Sequence, residues 1–165
     1  GCDINCRQAI ERIYSIKKIP KNKPLSFIFS DITELHEYVR NISDQAFKII
    51  KRSVPGPYTF IFQASKLVPR IAITHQKTIG VRIPDNNIAL DLVRALGRPI
   101  LSAGVSTVEG EYVIDPLEIE KQYLAGVDIV INAGRKESTP STVVDFSNGG
   151  VELVREGKGE IFFTV

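Results

Sequence analysis

The chain has 165 residues, 43% apolar and 24% charged, with 21 Lys and Arg against 19 Asp and Glu for a formal net charge of +2. That length suits one domain with its own core, and the composition excludes a disordered tail, while so small a net charge does not by itself predict a nucleic-acid partner. No apolar run approaches the roughly 18 residues a membrane span needs, no signal-peptide pattern opens the chain, and two cysteines with two histidines make neither a disulfide framework nor a four-ligand zinc site. The expectation is a soluble, cytoplasmic, globular domain with no membrane partner.

Residues 6–18 carry Ile10, Ile13, Tyr14 and Lys17 at helical spacing, with Asn5 as N-cap and Pro20 as stop. Residues 25–29 read as a strand. Asp31 with Glu34 resembles a capping box and opens a second helix to Val39, and Ser43 caps a third that buries Ala46, Phe47, Ile49 and Ile50. Pro55-Gly56-Pro57 breaks the chain before a strand over 58–62, and a further strand over 78–83 ends at Pro84. Asn86 or Asn87 caps a helix to Leu96, with Gly97 as the left-handed residue after it. A short strand over 99–102 follows. Asp115-Pro116 launches a helix to about Leu124, and residues 127–132 read as a buried strand. Residues 142–146 and 151–155 form a hairpin around Ser147-Asn148-Gly149-Gly150 with a type I′-like turn. The order is not a strict strand–helix alternation. It predicts a single α/β domain whose twisted, mixed and partly antiparallel sheet is flanked by helices.

Neither a dinucleotide-type glycine fingerprint nor a P-loop lysine motif is present. Lys17, Lys18, Lys21 and Lys23 gather around Pro20 and Pro24, Arg82 ends a strand, and Arg155 ends the hairpin. Cations at element ends converge on phosphates or simply face water, and the pattern leaves both open. Ser141 and Thr142, after Pro140, either hold an anion or form an ordinary turn. Cys2 and Cys6, four apart, would share a helix face as reduced thiols, and His36 and His75 lack any triad partner nearby. Asp145, inside an apolar strand, needs a partner: it orients Arg155 or serves as a hydrogen-bond hub.

Seven blocks in register, GCDI with AIERIYSIKK, KNKPLSFIFSD, PGPYTFIF, GVRIP, RPILSA, PSTVVD and VREGKG, resemble the YrdC/YciO family over nearly the whole chain. The resemblance implies a YrdC-like fold across residues 1–165 with a positively charged concave face. Members of the YrdC branch are nucleotidyltransferases that make threonylcarbamoyl-adenylate from threonine, bicarbonate and ATP and release pyrophosphate. The product serves the modification of adenosine 37 in tRNA, and the family also has affinity for double-stranded RNA. ATP and Mg²⁺ would be substrates, with no tightly bound cofactor and no resident metal. Lys17 matches the lysine of the family's K-x-R-P element, with Ile19 at its arginine position and Pro20 kept, and Pro24 and Leu25 match its PL pair. Arg82, Ser141, Thr142 and Arg155 match family positions near the nucleotide and its phosphates, and Lys18, Lys21 and Lys23 would form an RNA-facing surface. No residue is assigned a catalytic role.

Gly104-Val105-Ser106 stands where the family's substrate loop reads S-x-N, so two of its side chains are changed. Together with Ile19 this follows the YciO-like branch, as do the PGPYTF turn and the REGKG ending. The chain has no methionine, where about three would be usual, and begins where the family's P-T-D-T/S-x-Y-G-L-G strand ends. The expectation is that an upstream segment with the first strand is missing. Three functions follow from the resemblance: a synthase or weak relative of one, a tRNA- or double-stranded-RNA-binding module without efficient synthesis, or an enzyme acting on threonylcarbamoylated tRNA.

Overall fold

Tyr58 to Gln63 alternates aromatic rings with smaller side chains, the period of a strand with one face buried. In the computed structural model, which describes residues 1–105, 113–135 and 139–164, it is an inner strand of a seven-stranded sheet. In chain order the elements are β1 (Cys2–Asp3), α1 (Arg7–Lys17), β2 (Ser26–Ile28), α2 (Leu35–Tyr38), α3 (Asp44–Ser53), β3 (Tyr58–Gln63), β4 (Thr78–Arg82), α4 (Asn87–Leu96), β5 (Ile100–Ser102), α5 (Pro116–Tyr123), β6 (Thr142–Asp145) and β7 (Glu152–Arg155). The sheet runs β1-β5-β2-β4-β3-β6-β7; β2 with β4 and β3 with β6 are parallel, and the other pairs are antiparallel. The mixed α/β domain expected from the sequence is the one observed.

Register sorts the side chains. Leu101, Phe27, Val81, Phe60 and Val144 pair in turn across five strands, and each is at most 1% exposed. This row joins a core that takes Ile10, Ile13 and Tyr14 from α1, Ala46, Ile49 and Ile50 from α3, and Leu90 from α4. One step along each strand, Ser26, Gly80, Ile61 and Asp145 in one direction and Ile28, Arg82 and Val143 in the other are only half-buried. Successive strand residues face opposite ways, so these belong to the other face.

Caps follow the sequence closely. Ser43 Oγ accepts from Ala46 N at 3.2 Å, Asn86 Oδ1 from Ala89 N at 3.0 Å, and Asp115 Oδ1 from Leu117 N at 2.9 Å. Gly97 is left-handed at φ 70°. Asp31 caps by accepting from Thr33 N, but Glu34 binds the Ser30 hydroxyl instead of reaching back, and a 3₁₀ turn over Ile32–Glu34 precedes the short α2.

Five expectations are corrected. Cys6, not Asn5, occupies the N-cap of α1, because Asn5 N turns to Asp3 Oδ1. Cys2 lies in β1, so the two thiols do not share a helix face. Phe47 is 44% exposed, since α3 buries Ala46, Ile49, Ile50 and Ser53 instead. Residues 127–132 pair with no strand among the described residues and leave Ile129 77% and Ile131 52% exposed. Their apolar run suited a buried strand, but a strand also needs a neighbour with free backbone groups. The hairpin between β6 and β7 closes over Phe146 to Val151, with Gly149 alone at positive φ, so it is not a two-residue type I′ turn.

After β7 the chain is fastened back onto the sheet. Thr142 Oγ1 donates to Gly159 O at 2.7 Å and accepts from Gly157 N at 3.0 Å, while Tyr58 donates to Glu160 O at 2.7 Å. A Cβ on Gly159 would stand 2.5 Å from Tyr58 Cε1. Gly159→Ala should cost about 1–3 kcal/mol as overpacking, lowering Tm by about 2–4 °C per kcal/mol at this size. Gly150→Ala, with open space around it, should leave Tm nearly unchanged. Scanning calorimetry on both variants checks the contrast.

Candidate functional site

The second face of the sheet is only partly covered. Its half-buried rows floor a cleft of two adjoining lobes, about 940 and 890 Å³, within the size range of small-molecule sites. Lys23, Ser26, Arg82, Gly104 and Arg155 line both lobes. The smaller lobe is walled by Lys17, Lys18, Lys23, Arg82 and Arg155, and among the described residues no carboxylate lines it. A chain of net charge +2 thus places five cations around one space. The larger lobe adds Ser141, Asp145, His75 and Gln76 to the three shared cations.

Each cation is aimed by its local fold. Helix α1 ends with Lys18 left-handed at φ 50°; Ile19 N reaches back to Tyr14 O at 3.2 Å and Lys23 N to Pro20 O at 2.9 Å. Tyr14, buried on α1, donates its hydroxyl to Lys23 O at 3.1 Å and fixes that residue at the cleft wall. Lys17 lies over the Tyr123 ring of α5, 5.9 Å from its centroid. Arg82 stands on β4 beside Ile28 of β2. Lys21 is exposed and lines neither lobe.

Arg155 is held by one residue. Its Nε and Nη2 donate to Ser141 O at 3.1 and 2.8 Å, and Nη2 also donates to Ser141 Oγ at 3.2 Å. None of these bonds uses Nη1. Ser141 and Thr142, adjacent in sequence, are separated by the strand's alternation. Ser141 lines the cleft, whereas Thr142 is fully buried on the core side and spends its hydroxyl on Gly159 and Gly157.

Of the two roles open to Asp145, its Oδ1 takes the local one, accepting from Ser147 N at 2.6 Å. Arg155 turns to Ser141 because the register sets it opposite Val143 rather than Asp145. His36 is exposed on α2, with its Nδ1 against Thr33 O. His75 is exposed yet rims the larger lobe, at the tip of a loop closed by the 2.8 Å bond between the Thr74 and Thr78 hydroxyls. The Thr-x-x-x-Thr spacing was the available sign of that loop. Ile19 lines the smaller lobe and packs half-buried against the core. Gly104 borders both lobes, while Ser106 lies outside the described residues. No group of three or more metal-ligating side chains occurs among the described residues, and none of their helices is long and apolar enough to cross a membrane.

The family model Sua5/YciO/YrdC, described as telomere recombination, matches residues 1–157, and the chain belongs to this family. An uncharacterized protein of Haemophilus influenzae is 41% identical over 162 residues, covering 96% of this chain and 78% of that protein. The crystal structure of Escherichia coli YciO superposes with a TM-score of 0.89 at 36% identity, covering 98% of this chain and 79% of that one. A threonylcarbamoyl-AMP synthase of Pyrococcus abyssi is 27% identical over 158 residues, covering 95% of this chain but 46% of the synthase.

The crowding of cations is felt at Lys17, whose amine is pushed below the usual lysine value first by burial and then by the charge of Lys23. Lys23→Gln removes the second cause and leaves the first. The Lys17 amine should therefore titrate at higher pH in the variant, as followed by NMR of its Nζ signal. An unmoved titration would contradict the electrostatic contact between the two side chains.

Proposed function

We propose that the cleft binds ATP and joins threonine-derived carbamate to its adenylyl group, yielding threonylcarbamoyl-adenylate. The observation that supports this reading is the smaller lobe, where five cations and, among the described residues, no carboxylate surround one space. Such a wall suits a polyphosphate, with guanidinium forks and ammonium points neutralising charge as it shifts to the leaving group. The carbamate oxygen of N-carboxythreonine attacks the α-phosphorus, the bond from that phosphorus to its bridging oxygen breaks, and pyrophosphate departs with the electron pair. Mg²⁺ arrives on the triphosphate and is a partner of the substrate. Arg82, Arg155 and Lys23 line both lobes, which suits contact with phosphates and carbamate together.

Ile19 and Gly104 weaken the site relative to the family pattern. An arginine fork and a hydroxyl lost there remove bonds each worth about 0.5–3 kcal/mol. These changes favour a second reading, in which the cationic face binds tRNA or double-stranded RNA without efficient synthesis, or acts on threonylcarbamoylated tRNA. Exposed Lys18 and Lys21 beside the cleft would then extend the contact.

Two experiments separate the readings. Incubation with ATP, Mg²⁺, threonine and bicarbonate should give threonylcarbamoyl-adenylate by mass spectrometry, and Arg82→Ala should lower its rate about 10- to 100-fold, as expected for one charged hydrogen bond. A folded protein that binds ATP and forms no product rejects the synthesis. RNA held by about five phosphate contacts should be released steeply between about 50 and 200 mM salt, and weak or salt-independent retention rejects the RNA reading.

A further inference from the structure

The hydroxyl of Thr59 lies 2.8 Å from Ser141 Oγ, with the two residues each 8% exposed. They meet across the parallel β3–β6 pair, one strand away from Arg155 on β7. Arginine has no acceptor atom, so in its contact with Ser141 Oγ the guanidinium must donate. Either hydroxyl can donate in the contact between them, and donation by Thr59 gives Ser141 Oγ a second bond to accept. Ser141 Oγ then accepts twice, and its hydrogen is left over on a residue that lines the cleft.

We infer that Thr59 is a positioning residue: by donating to Ser141 it turns the Ser141 hydroxyl into a donor toward an anion in the cleft and steadies the serine on which Arg155 is pinned. This rests on the reading of the cleft as a phosphate site and adds how two of its donors are aimed. Thr59 is itself locked. Its methyl points toward Gly80, where a Cβ would come within 3.3 Å of Thr59 Cγ2, so the methyl occupies one side and the hydroxyl is turned to the other. A hydroxyl that neither titrates nor carries charge thereby selects an acceptor-rich ligand over a donor. Nothing in the sequence marks this role, because Thr59 reads as an ordinary strand threonine between two aromatic rings.

The test uses Thr59→Val, which keeps the shape and removes the hydroxyl, and Thr59→Ser, which keeps the hydroxyl. In the free protein, the NMR signal of the Arg155 Nε–H should shift and exchange faster in Thr59→Val and return toward its wild-type position in Thr59→Ser. MgATP and inorganic pyrophosphate, measured by calorimetry, should bind about tenfold more weakly to Thr59→Val, and within about threefold of wild type to Thr59→Ser. Ser141→Ala combined with Thr59→Val should lose no more affinity than Ser141→Ala alone, because Thr59 acts only through Ser141. Should Thr59→Val fail to fold, Thr59→Ala takes its place in the same comparison. An unmoved Arg155 signal, unchanged affinity in Thr59→Val, or additive losses in the double variant overturns the inference. A wild-type protein that binds neither probe overturns the phosphate reading instead, while the Arg155 signal still decides whether Thr59 steadies the pair.

Discussion

Strand parity governs this molecule. A β-strand sends alternate side chains to opposite faces, and here one parity supplies Phe27, Val81, Phe60 and Val144 to the core while the other supplies Ser26, Arg82, Thr59 and Asp145 to the cleft. A slip of one residue in β3 would drive Thr59 and Ile61 inward and set Phe60 and Phe62 in water. The rings that make such a slip costly, stacked with Phe146 at centroid distances of 5.9 and 5.2 Å, are therefore also what aims the site. Core packing and ligand geometry are set by the same register.

A cluster of like charges opposes folding, and the fold meets that cost through neutral groups. Tyr14 grips the backbone of Lys23, Tyr123 offers its ring to Lys17, and Ser141 accepts the fork of Arg155. None of these partners neutralises a charge, so the cationic field stays directed into the cleft. Among the described carboxylates, Asp3 pairs with Arg98, Asp128 with Arg12 and Asp91 with Arg94, none of which lines the smaller lobe. The division explains how a nearly neutral chain acquires a strongly polarised face.

Much of this could be read in advance, and the failures share a cause. Helices α3 and α4 were legible with their caps because Ser43, Asn86 and Gly97 act on backbone within a few residues of themselves. The strands around Phe27, Phe60 and Val81 were legible from alternation. Residues 127–132 were misread because an apolar run records what a segment would bury, not whether a neighbouring strand exists for it. Lys17, Lys23, Arg82, Ser141 and Arg155 stand out in the sequence and all line the cleft, whereas the division of Ser141 from Thr142 depends on the register of β6 on β3. The place of His75 at the rim of the larger lobe is not legible for a similar reason, since its loop approaches the cleft only through tertiary folding.

The parallel pairing of β3 with β6 also has a temporal side. Thr59 and Ser141 are 82 residues apart, and ribosomes add about 5–20 residues per second, so some 4–16 seconds separate their synthesis. One edge of β3 receives β4 early, but the other, with its run of aromatic side chains, waits for β6. An unpaired strand edge of this kind is a template for joining another chain. For those seconds the nascent protein carries an unpaired edge on the strand that later supports the cleft.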